Sequence, residues 1–530
     1  MHITTDVLTT GSWLFLILAI VFALGFEFVN GFHDTANAVA TVIYTHTLRP
    51  WVAVIWSGIW NLIGVLTSSG GIAFTILALL PVELIVNIGS GPGFAMVFSL
   101  LTAAIIWNLG TWYFGLPASS SHTLIGSIMG VGIANALLAP GSSISSGINW
   151  AEVTKIFRSL LASPLVGFLC AAALLLLAKR FLKSRPELFK APPKDAPPPT
   201  WVRGLLILTC TGVSFAHGSN DGQKGMGLIL LILIGILPGT YALNPNLKPG
   251  ALAGLQSTAQ SLEPELTAQA HATTIEAGAA AGELSSYLKA SGEASDRTFA
   301  ALAAIDHRLA ETLRGKPDLS TFGVEERKSI RTDIYLMSSA IAKLAKAKKI
   351  SGAALLAFPA QLNEATQFIP PWVKLAVALA LGLGTMIGWK RIVVTVGEKI
   401  GKDHLTYAQG ASAELVAMAT IIAADQYHLP VSTTHVLSSG IAGTMAANRS
   451  GLQTQTLRNL LLAWVLTLPV SVFLGALTFA GGLYIVLHGL ILHAIAVGGL
   501  MALATGIILF RRIVSLRARS RAAAAEESAA

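Results

Sequence analysis

The sequence contains little charge and almost no cysteine. Only 12% of its 530 residues are Asp, Glu, Lys or Arg, whereas soluble domains carry about a quarter. This low charge argues against a soluble globular protein. The two cysteines, Cys170 and Cys210, lie far apart in separate apolar runs. Their number and spacing support neither a disulfide framework nor a metal cluster.

Long apolar runs dominate the rest of the sequence. Hydrophobic residues make up 53% of the chain, and runs of about 20 residues, the length that crosses a bilayer, recur throughout. Backbone groups in lipid must bond within their own segment, and these runs are too long for barrel strands, so we predict an all-α polytopic membrane protein with about ten to twelve spans. The first run, Trp13 to Val29, lacks a signal-peptide cleavage site and is predicted to be a retained helix.

The net charge of +9 is concentrated in a few short segments. Residues 241–370 hold 13 acidic and 13 basic residues, so the rest of the chain carries 23 basic against 14 acidic residues. The excess lies within 179–203, 390–402 and 511–521. This clustering indicates membrane topology and excludes a nucleic-acid partner, and the positive-inside rule places all three segments in the cytoplasm.

One stretch of the sequence occurs twice. LPASSSHTLIGSIMG begins at Leu116, and LPVSTTHVLSSGIAG begins at Leu429. A helix that begins at the hydroxyl residues leaves its first backbone N–H groups free, which suits an anion. The hydroxyls could instead serve only as helix caps, but the duplication favours binding. The candidates for anion binding are Ser119, Ser120, Ser121, Ser432, Thr433 and Thr434, with His122 and His435 as secondary candidates.

A second polar motif is also duplicated, earlier in each half. NGFHDTANAVAT begins at Asn30, and SFAHGSNDGQKGMG begins at Ser214. Both fall where apolar residues are expected, so they predict broken or re-entrant helices. Since the two motifs follow in the same order in both halves, we predict two diverged repeats. An odd number of crossings between them would make the repeats inverted.

The composition divides the chain into segments. We predict a first transmembrane repeat (1–183), a cytoplasmic proline-rich linker (184–203), the start of the second repeat (204–240), a soluble helical insert (241–370), the remainder of the second repeat (371–510) and a cytoplasmic tail (511–530). The insert has helical periodicity without a run of membrane length. The basic segments on either side of it predict an extracytoplasmic position.

Carboxylates at membrane depth are the leading candidates for binding a coupling ion. Such a charge costs about 2.5 to 3.5 kcal/mol on insertion scales and is a functional residue by default. Asp34 and Asp221 occupy the same slot of the duplicated motif, and carboxylates beside amide oxygens suit a hard cation or a proton. The further candidates are Asn220 and Glu414 for the coupling ion, Asn37 and Gln223 for the anion, and Lys224 and His33 as secondary residues.

Hydroxyls and carboxylates within one membrane protein predict cotransport of an anion with a cation. The two triplets can surround a tetrahedral oxyanion from two sides. Phosphate is favoured over sulfate, because a protonated phosphate can donate a hydrogen bond to a carboxylate and sulfate cannot do so at neutral pH. No nucleotide-binding loop or metal-ligand cluster is recognisable, so we predict neither an enzyme nor a cofactor besides the coupling cation.

The quoted segments resemble the inorganic phosphate transporter (PiT) family, in particular its bacterial low-affinity branch. GTMIGWKRIVVTVGEKIGK and the residues around both duplicated motifs carry the resemblance, which covers the insert and the tail least. It implies a secondary transporter of the bacterial cytoplasmic membrane, with inverted repeats and a central phosphate site. It also implies proton coupling with phosphate as a divalent metal complex, whereas other branches use sodium. His33 stands where many relatives have asparagine, which favours protons.

Several alternatives remain open at this stage. The coupling ion could be sodium, and the substrate could be sulfate. A membrane-embedded phosphatase that uses Ser, His and Asp is disfavoured, because catalytic sites are rarely duplicated residue by residue. The insert could also be a sensing domain that the spans merely anchor. A homo-oligomer is possible, and the sequence does not decide it.

Overall fold

The fold is helical throughout the described residues. The computed structural model describes residues 9–34, 36–79, 90–138, 147–193, 197–289 and 292–490. These ranges contain helices and no β-strand, which confirms the all-α prediction. The predicted tail 511–530 and the last part of segment 371–510 lie outside the described residues.

The described helices are numbered here in chain order. The first half contains α1 (Thr10–Asp34), α2 (Ala36–Tyr44), α3 (Pro50–Thr67), α4 (Gly71–Leu77), α5 (Gly91–Tyr113), α6 (Ser120–Leu138) and α7 (Trp150–Phe181). The second half begins with α8 (Thr200–Ile236) and α9 (Pro238–Tyr241). The insert contains α10 (Ala251–Gln269), α11 (Ala277–Leu288), α12 (Asp296–Leu313), α13 (Val324–Lys346) and α14 (Ala353–Thr366). The chain continues with α15 (Pro371–Met386), α16 (Lys390–Val394), α17 (Tyr407–Gln426), α18 (Thr433–Asn448) and α19 (Thr454–Leu487).

Apolar side chains cover the outside of the long helices. On α7, Leu161, Leu165 and Leu169 are 59%, 61% and 63% exposed, and their spacing of four residues places them on one face. A large exposed apolar surface of this kind marks a membrane contact. In the described part of the chain, six helices are long and apolar enough to cross a membrane, α1 and α2 being taken together, or up to seven if α14 and α15, which are bent by 78°, form one span.

This count is below the predicted ten to twelve spans. The helices α8 and α17 are 37 and 20 residues long, and polar residues in both lower their mean hydropathy. The last predicted run continues beyond residue 490, outside the described residues. The lower number therefore reflects helices that are long enough to span but too polar to pass a test of apolar composition, together with a run outside the described residues.

The second aspartate motif does not break its helix, contrary to the prediction, because α8 runs without interruption through the whole of SFAHGSNDGQKGMG. In the first motif, α1 ends at Asp34 and α2 begins at Ala36. Polar side chains bonded by neighbouring helices leave the backbone free to keep its own helical hydrogen bonds, so no unwinding is needed. The hydroxyl motifs do separate helices, because α6 begins at Ser120 and α18 begins at Thr433.

Equivalent helices of the two halves exchange partners. α6 packs along α19, and its counterpart α18 packs along α7. Small residues allow this close approach, since a Cβ on Gly130 would lie 2.1 Å from the Val472 carbonyl oxygen and one on Gly443 would lie 2.2 Å from that of Phe168. Such an exchange is what two repeats related by a two-fold axis produce. Their inversion in the membrane stays a prediction.

The insert has a hydrophobic core of its own. Leu262, Leu302 and Phe358 are among the side chains buried in it. Its two ends are held together by Arg331, whose Nη1 donates to the Ala242 carbonyl at 2.8 Å and to the Thr366 carbonyl at 3.1 Å. Because the chain leaves and re-enters at neighbouring points, the insert interrupts the second half without separating α8 from α15, which remain in contact.

Candidate functional site

The hydroxyl triplets lie at the N-terminal ends of α6 and α18. Ser119 Oγ accepts a hydrogen bond from the His122 backbone N–H at 3.2 Å, and Ser432 Oγ accepts one from that of His435 at 3.1 Å. The first hydroxyl of each triplet is therefore a helix cap. The second and third hydroxyls are left for contacts outside their own helix.

Asp34 joins the two triplets. Its Oδ2 accepts a hydrogen bond from Ser120 Oγ at 2.5 Å, and its Oδ1 accepts one from Thr434 Oγ1 at 2.8 Å. Asp34 is only 4% exposed, so both bonds lie in a medium of low dielectric constant, where charge-assisted hydrogen bonds are strong. One carboxylate on α1 thus holds a hydroxyl from each half of the chain.

His33 links the same carboxylate to α5. His33 Nδ1 lies 2.9 Å from Asp34 Oδ1, and His33 Nε2 lies 2.9 Å from Thr111 Oγ1. The Thr111 hydroxyl in turn donates to the carbonyls of Trp107 and Asn108, at 3.0 and 3.1 Å. The imidazole is fully buried and bridges two polar groups.

Asp221, the counterpart of Asp34 on α8, is paired with a lysine. Lys224 Nζ lies 2.6 Å from Asp221 Oδ1 and donates to Ser121 Oγ at 2.5 Å. His217 Nε2 lies 3.4 Å from Asp221 Oδ2. All four side chains are buried. The lysine therefore connects the second aspartate to the first triplet.

The two aspartates come together at the centre of the molecule. The ligand atoms of Asp34, His217 and Asp221 all lie within 4.8 Å of one another. Two carboxylates and an imidazole at this spacing suit a divalent cation. The described residues hold no other group of three or more such side chains.

Several buried polar atoms around the triplets have no partner within the described residues. They are Asn37 Oδ1, Asn220 Oδ1 and Thr433 Oγ1. Asn37 Nδ2 donates to Thr434 Oγ1 at 3.1 Å, and Asn220 Nδ2 donates to the Leu429 carbonyl at 3.3 Å. An unpaired buried polar atom costs free energy, so these atoms are suited to a bound ion.

The two histidines of the hydroxyl motifs lie against each other. The ring centroids of His122 and His435 are 4.7 Å apart, and His435 stacks on Trp464 at 4.3 Å. His122 Nδ1 and His435 Nε2 are buried and have no hydrogen-bond partner in the described part of the chain. Equivalent residues of the two halves therefore meet at their common boundary.

Two predicted residues lie outside this cluster. Gln223 Nε2 donates to Asp425 Oδ1 at 2.6 Å, and Gln223 Oε1 accepts from the Ile72 backbone N–H at 2.9 Å. Residues two positions apart on a helix face different sides, so Gln223 points away from Asp221. Glu414 accepts a hydrogen bond from Thr209, which precedes Asp221 by about 18 Å along α8.

Two residues one turn before the aspartates also contact the site, and neither is among the residues predicted from the sequence. Ser120 Oγ also lies 2.8 Å from Asn30 Oδ1, and His217 contacts Asp221 as described. Asn30 and His217 occupy the same slot of the duplicated motif, four residues before Asp34 and Asp221. Residues four apart lie on one face of a helix. This spacing is the signal that could have identified them.

The fold and the site together define a class of protein. Long apolar helices surround a buried site built from equivalent residues of both halves, which is the construction of secondary transporters. The model of the phosphate transporter family matches residues 30–475. The chain belongs to this family.

Several individual proteins are similar to this chain. The chain is 43% identical over 489 residues to the low-affinity inorganic phosphate transporter PitB of Escherichia coli K12, with 89% of this chain and 96% of PitB covered. It is 42% identical over 490 residues to PitA of the same strain, with the same shares covered. A solved structure titled "The sodium-dependent phosphate transporter" is 18% identical, with a TM-score of 0.48, and the match covers 88% of this chain and 98% of that one.

These findings confirm three predictions. The PiT family resemblance is confirmed by the family match and by the relatives. The family consists of transporters, so the chain is not an enzyme. Bacterial relatives and several apolar helices identify a multi-pass inner-membrane protein.

Proposed function

We propose that this protein is a secondary symporter that imports inorganic phosphate together with protons. The observation that carries the proposal is the pair of hydrogen bonds from Ser120 and Thr434 to Asp34, at 2.5 and 2.8 Å. The two hydroxyls belong to different halves of the chain. The names of the relatives, inorganic phosphate transporters, support phosphate as the substrate.

The arrangement supplies a mechanism of coupling. An ionised Asp34 competes with phosphate for the same two hydroxyl donors. When a proton neutralises the carboxylate, its hydrogen bonds weaken, because a neutral acceptor bonds less strongly than a charged one. Ser120 and Thr434 are then free to donate to the oxygens of phosphate. Phosphate binding therefore requires cation binding, as symport demands.

The contacts of His33 favour a proton over sodium. The hydroxyl of Thr111 donates to carbonyls of its own helix, so it accepts the hydrogen of His33 Nε2. His33 Nδ1 then faces Asp34 Oδ1 at 2.9 Å. Two acceptors at this distance attract each other only if a proton lies between them. The His33–Asp34 pair is thus suited to carry one exchangeable proton.

A metal–phosphate complex is the favoured form of the substrate. His217 and Asp221 present ligand atoms within 4.8 Å of each other and of Asp34, next to the hydroxyls that would hold the anion, so they would take the metal while Asp34 carries the proton. A divalent cation neutralises much of the charge of phosphate, which lowers the cost of placing phosphate at membrane depth. The cation would travel as part of the substrate.

Uptake of labelled phosphate into proteoliposomes tests the proposal. A proton gradient without sodium is expected to drive accumulation, a sodium gradient without a proton gradient is not, and magnesium is expected to increase the rate. Sulfate in excess should leave uptake unchanged. Accumulation driven by sodium alone would contradict proton coupling, and inhibition by sulfate would contradict phosphate specificity.

A further inference from the structure

The duplicated aspartate motif differs between its two copies in charge. The motifs place Asp34 opposite Asp221 and Asn37 opposite Lys224, each three residues after its aspartate. A neutral amide in the first half therefore corresponds to a positive charge in the second. In the structure, these two side chains occupy equivalent positions.

Asn37 and Lys224 make the same contact on opposite sides. Asn37 Nδ2 donates to Thr434 Oγ1 at 3.1 Å, and Lys224 Nζ donates to Ser121 Oγ at 2.5 Å. Thr434 and Ser121 are the third hydroxyls of their respective triplets. Both halves therefore have a side chain at this position, neutral in the first half (Asn37) and positively charged in the second (Lys224).

The ammonium group of Lys224 fills a site that a mobile cation would need. It lies 2.6 Å from Asp221 Oδ1 and 2.5 Å from Ser121 Oγ. A carboxylate and a hydroxyl oxygen are the kind of ligands that hard cations take. Lys224 is completely buried, so it cannot leave this site without a large desolvation penalty for Asp221.

Asp34, the aspartate of the first half, has a different ion-pair partner from Asp221. Among the described residues, the ion-pair partner of Asp34 is His33, and its other donors are two neutral hydroxyls and the Ser120 backbone N–H. Glu27, the other carboxylate on α1, lies against the second half, because a Cβ on Gly225 would be 2.5 Å from Glu27 Oε1. Asp221 is thus the carboxylate that contacts Lys224, and Glu27 lies against the next residue of α8.

We infer that Lys224 is a built-in cation that permanently occupies the second half-site, so that each transport cycle exchanges a coupling cation only at Asp34. This inference rests on the proposed symport function and adds the number of exchangeable cation sites to it. Lys224 is a positioning and specificity-determining residue, since it acts through Asp221 and Ser121.

Substitution by the residue of the other half tests the inference. Lys224→Asn is expected to create a sodium site at Asp221, and binding of ²²Na⁺ to the purified full-length protein detects this site without any transport. Wild type and Lys224→Arg should show no such site. Phosphate uptake by Lys224→Asn without sodium should fall at least about a hundredfold, because one partner of a buried ion pair is lost. Sodium should restore it at least tenfold.

A second pair of variants covers the case in which Lys224→Asn fails to fold. Asp221→Asn leaves the lysine unpaired and should lose uptake, whereas Asp221→Asn with Lys224→Asn removes both charges. The double variant should recover at least about tenfold over Asp221→Asn and show no sodium dependence. Sodium binding to Lys224→Asn no greater than to wild type, or a double variant no better than Asp221→Asn, would overturn the inference. Wild-type uptake driven by sodium would refute the proton assignment but would not decide the role of Lys224.

Discussion

Replacing Asp34 by asparagine should separate phosphate binding from its accumulation. In the proposed mechanism, phosphate takes two hydroxyls away from an ionised carboxylate. A hydrogen bond to a charged group contributes about 1.5 to 3 kcal/mol and one to a neutral group about 0.5 to 1.5, so ionisation of Asp34 disfavours phosphate by about 2 to 3 kcal/mol over the two bonds. This corresponds to a loss of affinity of about 30- to 150-fold relative to the protonated state. Asparagine cannot ionise, so the variant should lack this penalty at every pH.

The assay compares equilibrium binding with transport in the same preparation. Binding of labelled phosphate to purified protein, measured from acid to alkaline pH, should weaken with rising pH in the wild type more steeply than in Asp34→Asn. The titration of phosphate itself affects both proteins equally, so the difference between the two curves reports on Asp34. In proteoliposomes, Asp34→Asn should equilibrate phosphate at most and should not accumulate it under a proton gradient.

A matched control shows whether the effect of Asp34→Asn is specific to this carboxylate or follows from the loss of any hydrogen-bonded carboxylate. Asp425 also accepts hydrogen bonds from a hydroxyl and an amide, from Ser219 and Gln223, both at 2.6 Å, but it lies outside the cluster around Asp34. Asp425→Asn is expected to keep proton-driven accumulation. Identical pH curves for wild type and Asp34→Asn, or accumulation by Asp34→Asn, would refute the competition between carboxylate and phosphate.

Three further predictions concern a helix contact and the insert, outside the site. Gly130→Ala should lower the stability of the folded protein by about 1 to 3 kcal/mol in thermal melts, because the added Cβ would lie 2.1 Å from the Val472 carbonyl oxygen, whereas Gly481→Ala, with open space, should not. Burial raises the pKa of the Asp306 carboxyl in the insert to about 8, whereas its pKa in the unfolded chain is about 4. The contribution of this carboxyl to stability is therefore full below about pH 4 and is lost as pH rises through the folded value. The loss is about 3 to 4 kcal/mol between pH 5 and 8. Hydrogen exchange in α12 should show this loss in the wild type and a flat profile in Asp306→Asn. Replacing residues 245–364 by a short linker should preserve phosphate uptake, since Asn244 N donates to the Ala365 carbonyl at 2.8 Å and the ends of the insert already meet; loss of uptake by a folded variant would contradict this.

The sequence predicted the parts of the site that repeat. The hydroxyl triplets and the aspartates each occur twice in matching slots, and the structure brings Asp34, Ser120 and Thr434 into direct contact. Duplication is informative because a residue kept in both halves is under the same local constraint twice. The caps at Ser119 and Ser432 could likewise be predicted, since a hydroxyl three residues before a backbone N–H is a local arrangement.

The sequence could not predict which helices of the two halves contact each other. Asp34 takes a hydroxyl from both triplets because α1 lies where the ends of α6 and α18 meet, and that position depends on the exchange of helix partners. The polar stretch in α8 suggested an interrupted helix, because its side-chain partners lie on other helices and are not visible in sequence. Gln223 is predicted to bind the anion because of its amide group, but its position on α8 places it on a different helix face from Asp221.

The differences between the copies, more than their identity, explain how a duplicated site can perform directional coupling. A fully symmetric site would bind the same cation at both aspartates and would give phosphate two equal competitors. His33 stands opposite Asn220, and Lys224 stands opposite Asn37, so the first half has the group to which the proposal assigns the proton and the second has a lysine paired with its aspartate. In the proposed mechanism the coupling cation is therefore exchanged only at Asp34, which holds a hydroxyl of each triplet. On this mechanism, one proton at one carboxylate releases donors from both halves at once.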